Sequence, residues 1–242
     1  MSIRENLRNR AFERSKDVPT AFEIGFPLRA QMFAIANSNW NEYFNPERLK
    51  ELLKDPYENF NAIKDVRRAG LMLRSAHHLF TEKPIPEAAN EIIRTIGVHN
   101  DWMNIGNEPH CEPVLQAVSA FVPTEQEPTL VNDLAYRQRV IDNAKKISDR
   151  ASYELVSADA FHDMRRYLKH FLGLYRMLEL AEGGEPNSIH ARFDAMNTRL
   201  GGMRDDNLQI NNGVVVSINP LMEIDGALRE EIFRIVNKVV PK

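Results

Sequence analysis

The sequence is organised around residues 160–166, which read AFHDMRR and open a long helical run. Residues 62–68 read AIKDVRR, which is the same pattern of residue types 98 positions earlier. Both copies place an apolar residue between an Asp and an Arg pair, and both carry a potential cation just before that Asp. A pattern that recurs at this distance predicts a duplicated domain and not a solenoid of short repeats.

Each copy predicts an amphipathic helix, because about 100° of rotation per residue separates apolar from basic side chains. In the first copy the basic face carries Lys64, Arg67, Arg68, Arg74 and His78. In the second copy it carries His162, Arg165, Arg166, Lys169 and Arg176. An ordinary solvated face mixes both signs, since like charges repel at this spacing. These ten side chains are therefore the predicted anion-binding residues.

Composition describes a globular protein of 242 residues, with 43% apolar and 27% charged residues. No apolar run approaches the roughly 20 residues that span a bilayer, and the N-terminal residues lack the apolar core of a secretory signal. Cys111 is the only cysteine, so no internal disulfide can form. These features predict a cytoplasmic protein with no membrane partner.

The positive charge of the chain is concentrated in two stretches and not spread evenly. Its net charge is −3, which argues against a nucleic-acid partner. Residues 64–74 and residues 162–176 each hold four Lys or Arg against one Asp, which gives +3 for each stretch and leaves −9 for the remainder. Focused positive charge in a cleft attracts anions even when the whole molecule is slightly acidic.

The pattern of caps and breakers predicts an all-α single domain over residues 1–242. Two pseudo-symmetric helical half-repeats, over about 45–120 and 129–210, would form a bundle around a basic central cavity. A first helix is expected over 3–15, from a capping box at Ser2 and Glu5, and a last helix over 221–239. The apolar run 213–217 is the one strand-like stretch, and it is predicted to be too isolated to form a sheet.

The order of these motifs resembles the conserved-histidine α-helical domain, the CHAD family. The resemblance covers roughly residues 56–208. It rests on the two signature helices, at 65–80 and 162–180, and on a Leu-Gly-x-x-x-Asp element after each of them, at 96–101 and 200–205. The first element has Ile in place of Leu. Lys64 stands where the first-half histidine is expected, and Leu71-Met72 stands where the family has an Arg pair.

The resemblance implies two helical half-repeats about a pseudo-twofold axis, with a basic central channel that binds inorganic polyphosphate. It implies no catalysis, cofactor or metal, and it suggests a cytoplasmic location at polyphosphate granules. By the same resemblance, the channel would be lined by Arg67, Arg74, His162, Arg165 and Lys169.

Two other functions fit the same residues. The first is an enzyme that acts on a phosphorylated small molecule in the basic channel, although the sequence has no Gly-rich phosphate loop. The second is a helical scaffold or adaptor, in which Asp101 and Asp205 neutralise Arg67 and Arg165 internally. The run His110-Cys111-Glu112 lacks the ligand spacing of a zinc site, so it does not predict a metal.

Overall fold

The structure is a computed structural model that describes residues 19–105, 108–122, 128–184, 187–211 and 214–240. The predicted helix over 3–15 lies outside the described residues. The nine helices of the described residues are α1 (Phe26–Tyr43), α2 (Pro46–Leu52), α3 (Phe60–Phe80), α4 (Glu87–Asn104), α5 (Glu112–Ser119), α6 (Asp133–Ala151), α7 (Ala158–Ala181), α8 (Ser188–Asp205) and α9 (Gly226–Val239). The strands are β1 (Leu155–Ser157), β2 (Leu208–Asn211), β3 (Val214–Ser217) and β4 (Leu221–Glu223). The predicted predominance of helix is confirmed.

The central helices α3 and α7 are those that contain the repeated motif. The side chain of Ser157 caps α7 by accepting a hydrogen bond from the Ala160 N–H at 3.1 Å, and serine is favoured at this position. Gly183 and Gly184 end the helix with φ angles of 88° and 85°, a conformation that favours glycine. The first basic helix begins at Phe60, five residues before the signature at 65–80.

The two central helices approach each other closely at Ser75 and Gly173. A Cβ atom added at Gly173 would lie 2.5 Å from the Ser75 Oγ, so no larger residue fits without a shift. The apolar sides of both helices are buried in one core that also includes residues of α1, α4, α6, α8 and α9. The basic sides are therefore turned toward the space between α3, α7 and the helices that follow each of them.

The prediction that the run 213–217 is too isolated for a sheet is wrong. β3 pairs with β2 as an antiparallel hairpin, with Ile210 opposite Val215. The partner strand β2 is short, with the sequence LQIN. Alternation of apolar and polar residues over only four positions is too weak a signal to identify a strand.

The predicted start of the last helix is also wrong. Residues 221–223 form β4, which pairs with β1, and α9 begins only at Gly226. The cap is Asp225, whose carboxylate accepts a hydrogen bond from the Leu228 N–H at 2.8 Å. Among the described residues, none of the helices combines the length and the apolar character needed to span a bilayer.

Candidate anion-binding site

A cavity of about 220 Å³ lies between α3, α4, α7 and α8, and we call it the central cavity. It is lined by six side chains of Arg and Lys: Arg67, Arg74, Arg94, Arg166, Lys169 and Arg204. His162 and His170 also line it, and Asp101 is the one carboxylate among its described lining residues. The cavity is therefore strongly basic, although the whole chain is slightly acidic.

Four cations lack an ion-pair partner among the described residues: Arg67, Arg74 and Lys169, which line the cavity, and Arg165, which is buried close to it. The Nε atoms of Arg67, Arg74 and Arg165 are buried and have no hydrogen-bond partner among the described residues. Buried polar groups normally find a partner, because leaving a donor unpaired costs free energy. These guanidinium groups have donor capacity that the described residues do not use.

Two glycines make room for two of these guanidinium groups. A Cβ at Gly97 of α4 would lie 3.2 Å from an Nη atom of Arg67. A Cβ at Gly201 of α8 would lie 3.1 Å from an Nη atom of Arg165. Each glycine belongs to a Leu-Gly-x-x-x-Asp element or its Ile variant. The motif requires glycine at this position because the guanidinium group packs directly against the helix backbone.

One charge pair in the cavity is neutralised internally. The guanidinium of Arg204 donates to both carboxylate oxygens of Asp101, at 2.9 and 2.7 Å. Burial raises the pKa of Asp101, but the hydrogen bonds and charge of Arg204 and the charge of Arg67 outweigh it and hold the pKa below its usual value. Burial and the nearby Asp101 charge raise the pKa of Asp205, which accepts a hydrogen bond from Asn104 Nδ2 at 3.2 Å.

The remaining cations destabilise one another. Burial, followed by the charges of Arg67 and Arg165, lowers the pKa of Lys169 well below its ordinary value. Burial and the charge of Arg204 lower the pKa of Arg165 to about 10, although Asp205 and Asp101 oppose the shift. Desolvation and the charges of Arg204 and Lys169 lower the pKa of His162 to about 4. The protonated forms of all three side chains would be favoured by an added anion.

Five of the ten predicted residues line the central cavity, namely Arg67, Arg74, His162, Arg166 and Lys169. Arg166 also pairs with Asp163 at 3.2 Å. Arg165 is buried against Gly201 and does not line the cavity.

The other four predicted residues lie outside the central cavity. Lys64 lies over the Phe60 ring, 3.9 Å from its centroid. Arg68 pairs with Asp65 at 2.7 Å, and Arg176 pairs with Glu179 at 2.8 Å. His78 shares a hydrogen bond with Asn143 at 3.0 Å and stacks on His170, with 4.0 Å between ring centroids.

Two larger pockets share walls with the central cavity. The front pocket, of about 810 Å³, shares Arg74, His162 and Arg166 with it and also contains His78. The rear pocket, of about 520 Å³, shares Leu71 and Lys169 with it and also contains Arg68 and Arg176. Eight of the ten predicted residues thus line one or more of three adjoining pockets, and Lys64 and Arg165 line none of them.

The sequence analysis missed several residues of the site. Arg204 lies inside the second Leu-Gly-x-x-x-Asp element, directly before Asp205, and this position was a signal that an inward-facing cation was present. Arg94 of α4 and Arg139 of α6 face the front pocket, where Arg139 donates to the backbone oxygen of His78 at 3.0 Å. Arg139 comes from a helix that the repeat pattern does not mark, so sequence periodicity gave no signal for it.

The geometry defines a helical protein with a cation-lined internal cavity. No protein-family model, no curated protein and no solved structure matches the chain. The function must therefore be argued from the side chains of the site.

Proposed function

We propose that this protein binds inorganic polyphosphate, or a similar phosphate-rich anion, in the central cavity. The observation that carries the proposal is the set of cations without an ion-pair partner among the described residues: Arg67, Arg74 and Lys169 on the cavity wall, with Arg165 buried close to them. Unpaired charges of one sign are costly when they are partly removed from water. Phosphate oxygens match guanidinium donors well and would offset the charge.

The proposal includes two pseudo-symmetric half-repeats, over about 45–120 and 129–210. The close contact between Ser75 and Gly173 supports it, because these positions are 98 residues apart, the same offset that separates the repeated motifs. Helices related by a twofold axis cross at equivalent positions. The packing of Arg67 on Gly97 and of Arg165 on Gly201 is a second equivalent pair of contacts.

A chain-like anion fits the site better than a compact one. The central cavity shares wall residues with both the front pocket and the rear pocket. A flexible polyanion with about one charge per phosphate can follow such a series of basic pockets and displace counterions along it. Polyphosphate is also the ligand that the resemblance to the conserved-histidine domain implies, and a location at cytoplasmic polyphosphate granules would follow from it.

The scaffold alternative requires that the basic faces be neutralised within the protein. Part of the charge is neutralised, since Arg204 pairs with Asp101 and Arg166 with Asp163. The pairs expected between Asp101 or Asp205 and Arg67 or Arg165 are absent among the described residues, where these aspartates act on the two arginines only through longer-range attraction. The unpaired cations favour binding of an external anion.

A mobility-shift or filter-binding assay with long-chain polyphosphate tests the proposal at low and moderate salt. We expect binding at low salt that weakens steeply as salt rises, and a loss of at least about tenfold in affinity for Arg67→Ala combined with Arg165→Ala. Lys145→Ala removes an exposed cation on α6 outside all three pockets, and it should bind as the wild type does. Absence of binding at low salt, or an unchanged double variant, would contradict the proposal.

A further inference from the structure

His190 lines the rear pocket, and its imidazole is paired with a buried carboxylate that anion binding does not explain. The buried Glu179 of α7 accepts a hydrogen bond from His190 Nδ1 of α8 at 2.8 Å. Its second oxygen accepts from Arg176 at 2.8 Å, and the Asn187 N–H donates to the first oxygen at 2.8 Å. The carboxylate is therefore held in one orientation by three donors.

The pair fixes which nitrogen of His190 is reactive. A carboxylate that accepts from Nδ1 holds the proton there in the neutral ring, so the lone pair lies on Nε2. Nε2 has no hydrogen-bond partner among the described residues, and the His190 side chain is 19% exposed. His190 lines the rear pocket together with Lys169, which also faces the central cavity.

Capping of α8 does not account for the position of the ring. The side chain of Asn187 already caps this helix, because its Oδ1 accepts from the Ile189 and His190 N–H groups at 2.8 and 3.2 Å. Glu179 contributes to the cap only through the Asn187 N–H. The imidazole is thus an additional group that is oriented by a carboxylate, as in sites where histidine acts as a base or nucleophile.

We infer that His190 accepts a phosphoryl group from a phosphoanhydride bound in the rear pocket. This inference rests on the proposed function and goes beyond binding. Nε2 attacks the terminal phosphorus of the chain, an N–P bond forms, and the bridging P–O bond breaks. The electron pair of that bond stays on the oxygen of the shortened chain. The imidazole keeps its Nδ1 proton, and the positive charge that develops on the ring is offset by Glu179.

The surroundings of His190 suit a terminal phosphate. Arg68, Arg176 and Lys169 line the same pocket, together with Asp65 and Asp194. Arg68 and Arg176 are paired with Asp65 and Glu179, so Lys169 is the one of these three cations without an ion-pair partner among the described residues, and its charge is available to the phosphoryl oxygens. Developing negative charge on the leaving oxygen would be stabilised by the same charge. Lys169 lines both the rear pocket and the central cavity, so the inference assigns the terminus of the chain to His190 and the rest of the chain to the central cavity.

The experiment is incubation of the full chain with long-chain polyphosphate, with and without Mg²⁺, followed by peptide mapping at neutral or alkaline pH. The expected result is one acid-labile phosphoryl group on His190 in a substantial fraction of the protein, together with polyphosphate shortened by an equal amount. The control His110→Asn, at a histidine outside the three pockets, should be labelled like the wild type. His190→Asn and His190→Gln should carry no label.

Binding is measured in the same samples, so the two proposals can fail separately. Polyphosphate binding without any label on His190 overturns the phosphoryl transfer and leaves the binding function intact. A label that maps to another residue, or that persists in the His190 variants, also overturns it. Absence of both binding and label overturns both proposals. Because the label is mapped in the wild type, the outcome does not depend on the stability of a variant.

Discussion

Lys169 shows most clearly what an unpaired cation does at this site. It lies on the walls of both the central cavity and the rear pocket, and Arg67, Arg165 and Arg204 all disfavour its charged form. A structural cation is usually paired, so that its removal leaves an uncompensated carboxylate. Lys169 has no such partner among the described residues, so the effect of its removal on stability distinguishes it from a paired structural cation.

Lys169→Met is expected to stabilise the free protein and to weaken polyphosphate binding. The substitution keeps the length of the side chain and removes a repelled charge, so the free energy of unfolding should rise by about 0.5–2 kcal/mol. Arg204→Met is the contrasting variant. It leaves Asp101 without its partner and should lower the free energy of unfolding by about 3 kcal/mol. Urea unfolding monitored by circular dichroism measures both values, and marked destabilisation by Lys169→Met would favour the scaffold function.

Binding of polyphosphate should strengthen as the pH falls. The pKa of His162 is lowered to about 4 in the free protein, and that of Lys169 is also low. A bound polyanion favours their protonated forms and raises both pKa values, so binding takes up protons. For each of these two groups the pKa is higher in the complex than in the free protein. Affinity for polyphosphate therefore rises as the pH falls from the higher of these two pKa values to the lower.

Titration calorimetry with long-chain polyphosphate, between about pH 8 and pH 5, measures this dependence. Repeating the titration in buffers of different ionisation enthalpy gives the number of protons taken up. His162→Asn should reduce that number at the acid end of the range. An affinity that is constant with pH, with no proton uptake, would show that the cavity cations do not face the anion.

At the scale of elements, the crossing of α3 and α7 sets the shape of the site. The crossing point is at Ser75 and Gly173, where the helix backbones come close enough to exclude a larger side chain. Ser75 Oγ donates to the Leu71 carbonyl of its own helix at 2.8 Å, so its side chain is held in place. The basic faces on either side of this point are brought toward the same cavity by the crossing.

Gly173→Ala should destabilise the protein because the new Cβ would lie 2.5 Å from the Ser75 Oγ. Overpacking of this kind costs about 1–3 kcal/mol, and adding Ser75→Gly should restore much of the loss. Gly202→Ala is the matched control, since a Cβ there meets nothing within 4 Å and alanine favours the helix by about 0.5–1 kcal/mol. Thermal and urea unfolding give the three values. Equal stability of Gly173→Ala and the wild type would contradict the close crossing.

The long helices were predictable from sequence because strong local signals mark them. Ser157 and the pair Gly183-Gly184 bound α7, and both are residue types that favour these helix ends. The strands were not predictable, because β1 and β4 have three residues each and pair across 66 positions of sequence. Local patterning does not encode a pairing between such short, distant segments.

The sequence predicted only part of the candidate site, because local patterning identifies a basic helix face but not contacts between distant segments. Helical periodicity groups Arg67 with Arg74 and His162 with Lys169, and all four line the central cavity. Periodicity does not show which cation has a carboxylate within reach. The ion pairs of Arg68 and Arg176 depend on neighbours three residues away, whereas Arg204 reaches Asp101 from another helix.

At the scale of the whole molecule, the site concentrates positive charge in a protein of net charge −3. The two basic stretches carry +3 each, and the rest of the chain carries −9. An acidic exterior repels a polyanion except near the basic pockets, so binding should be directed to the cavity and sensitive to ionic strength. Nonspecific binding to the surface would show no dependence on which cation is removed.

The most direct test of the central claim is the salt dependence of polyphosphate affinity for Lys169→Met and Lys145→Met beside the wild type. Each variant removes one cation, from the cavity wall in the first case and from the exposed face of α6 in the second. We predict that Lys169→Met lowers the slope of log affinity against log salt by about 0.7, and that Lys145→Met leaves it unchanged. Equal slopes for the three proteins, or no binding at low salt, would contradict the claim that the cavity cations hold the anion.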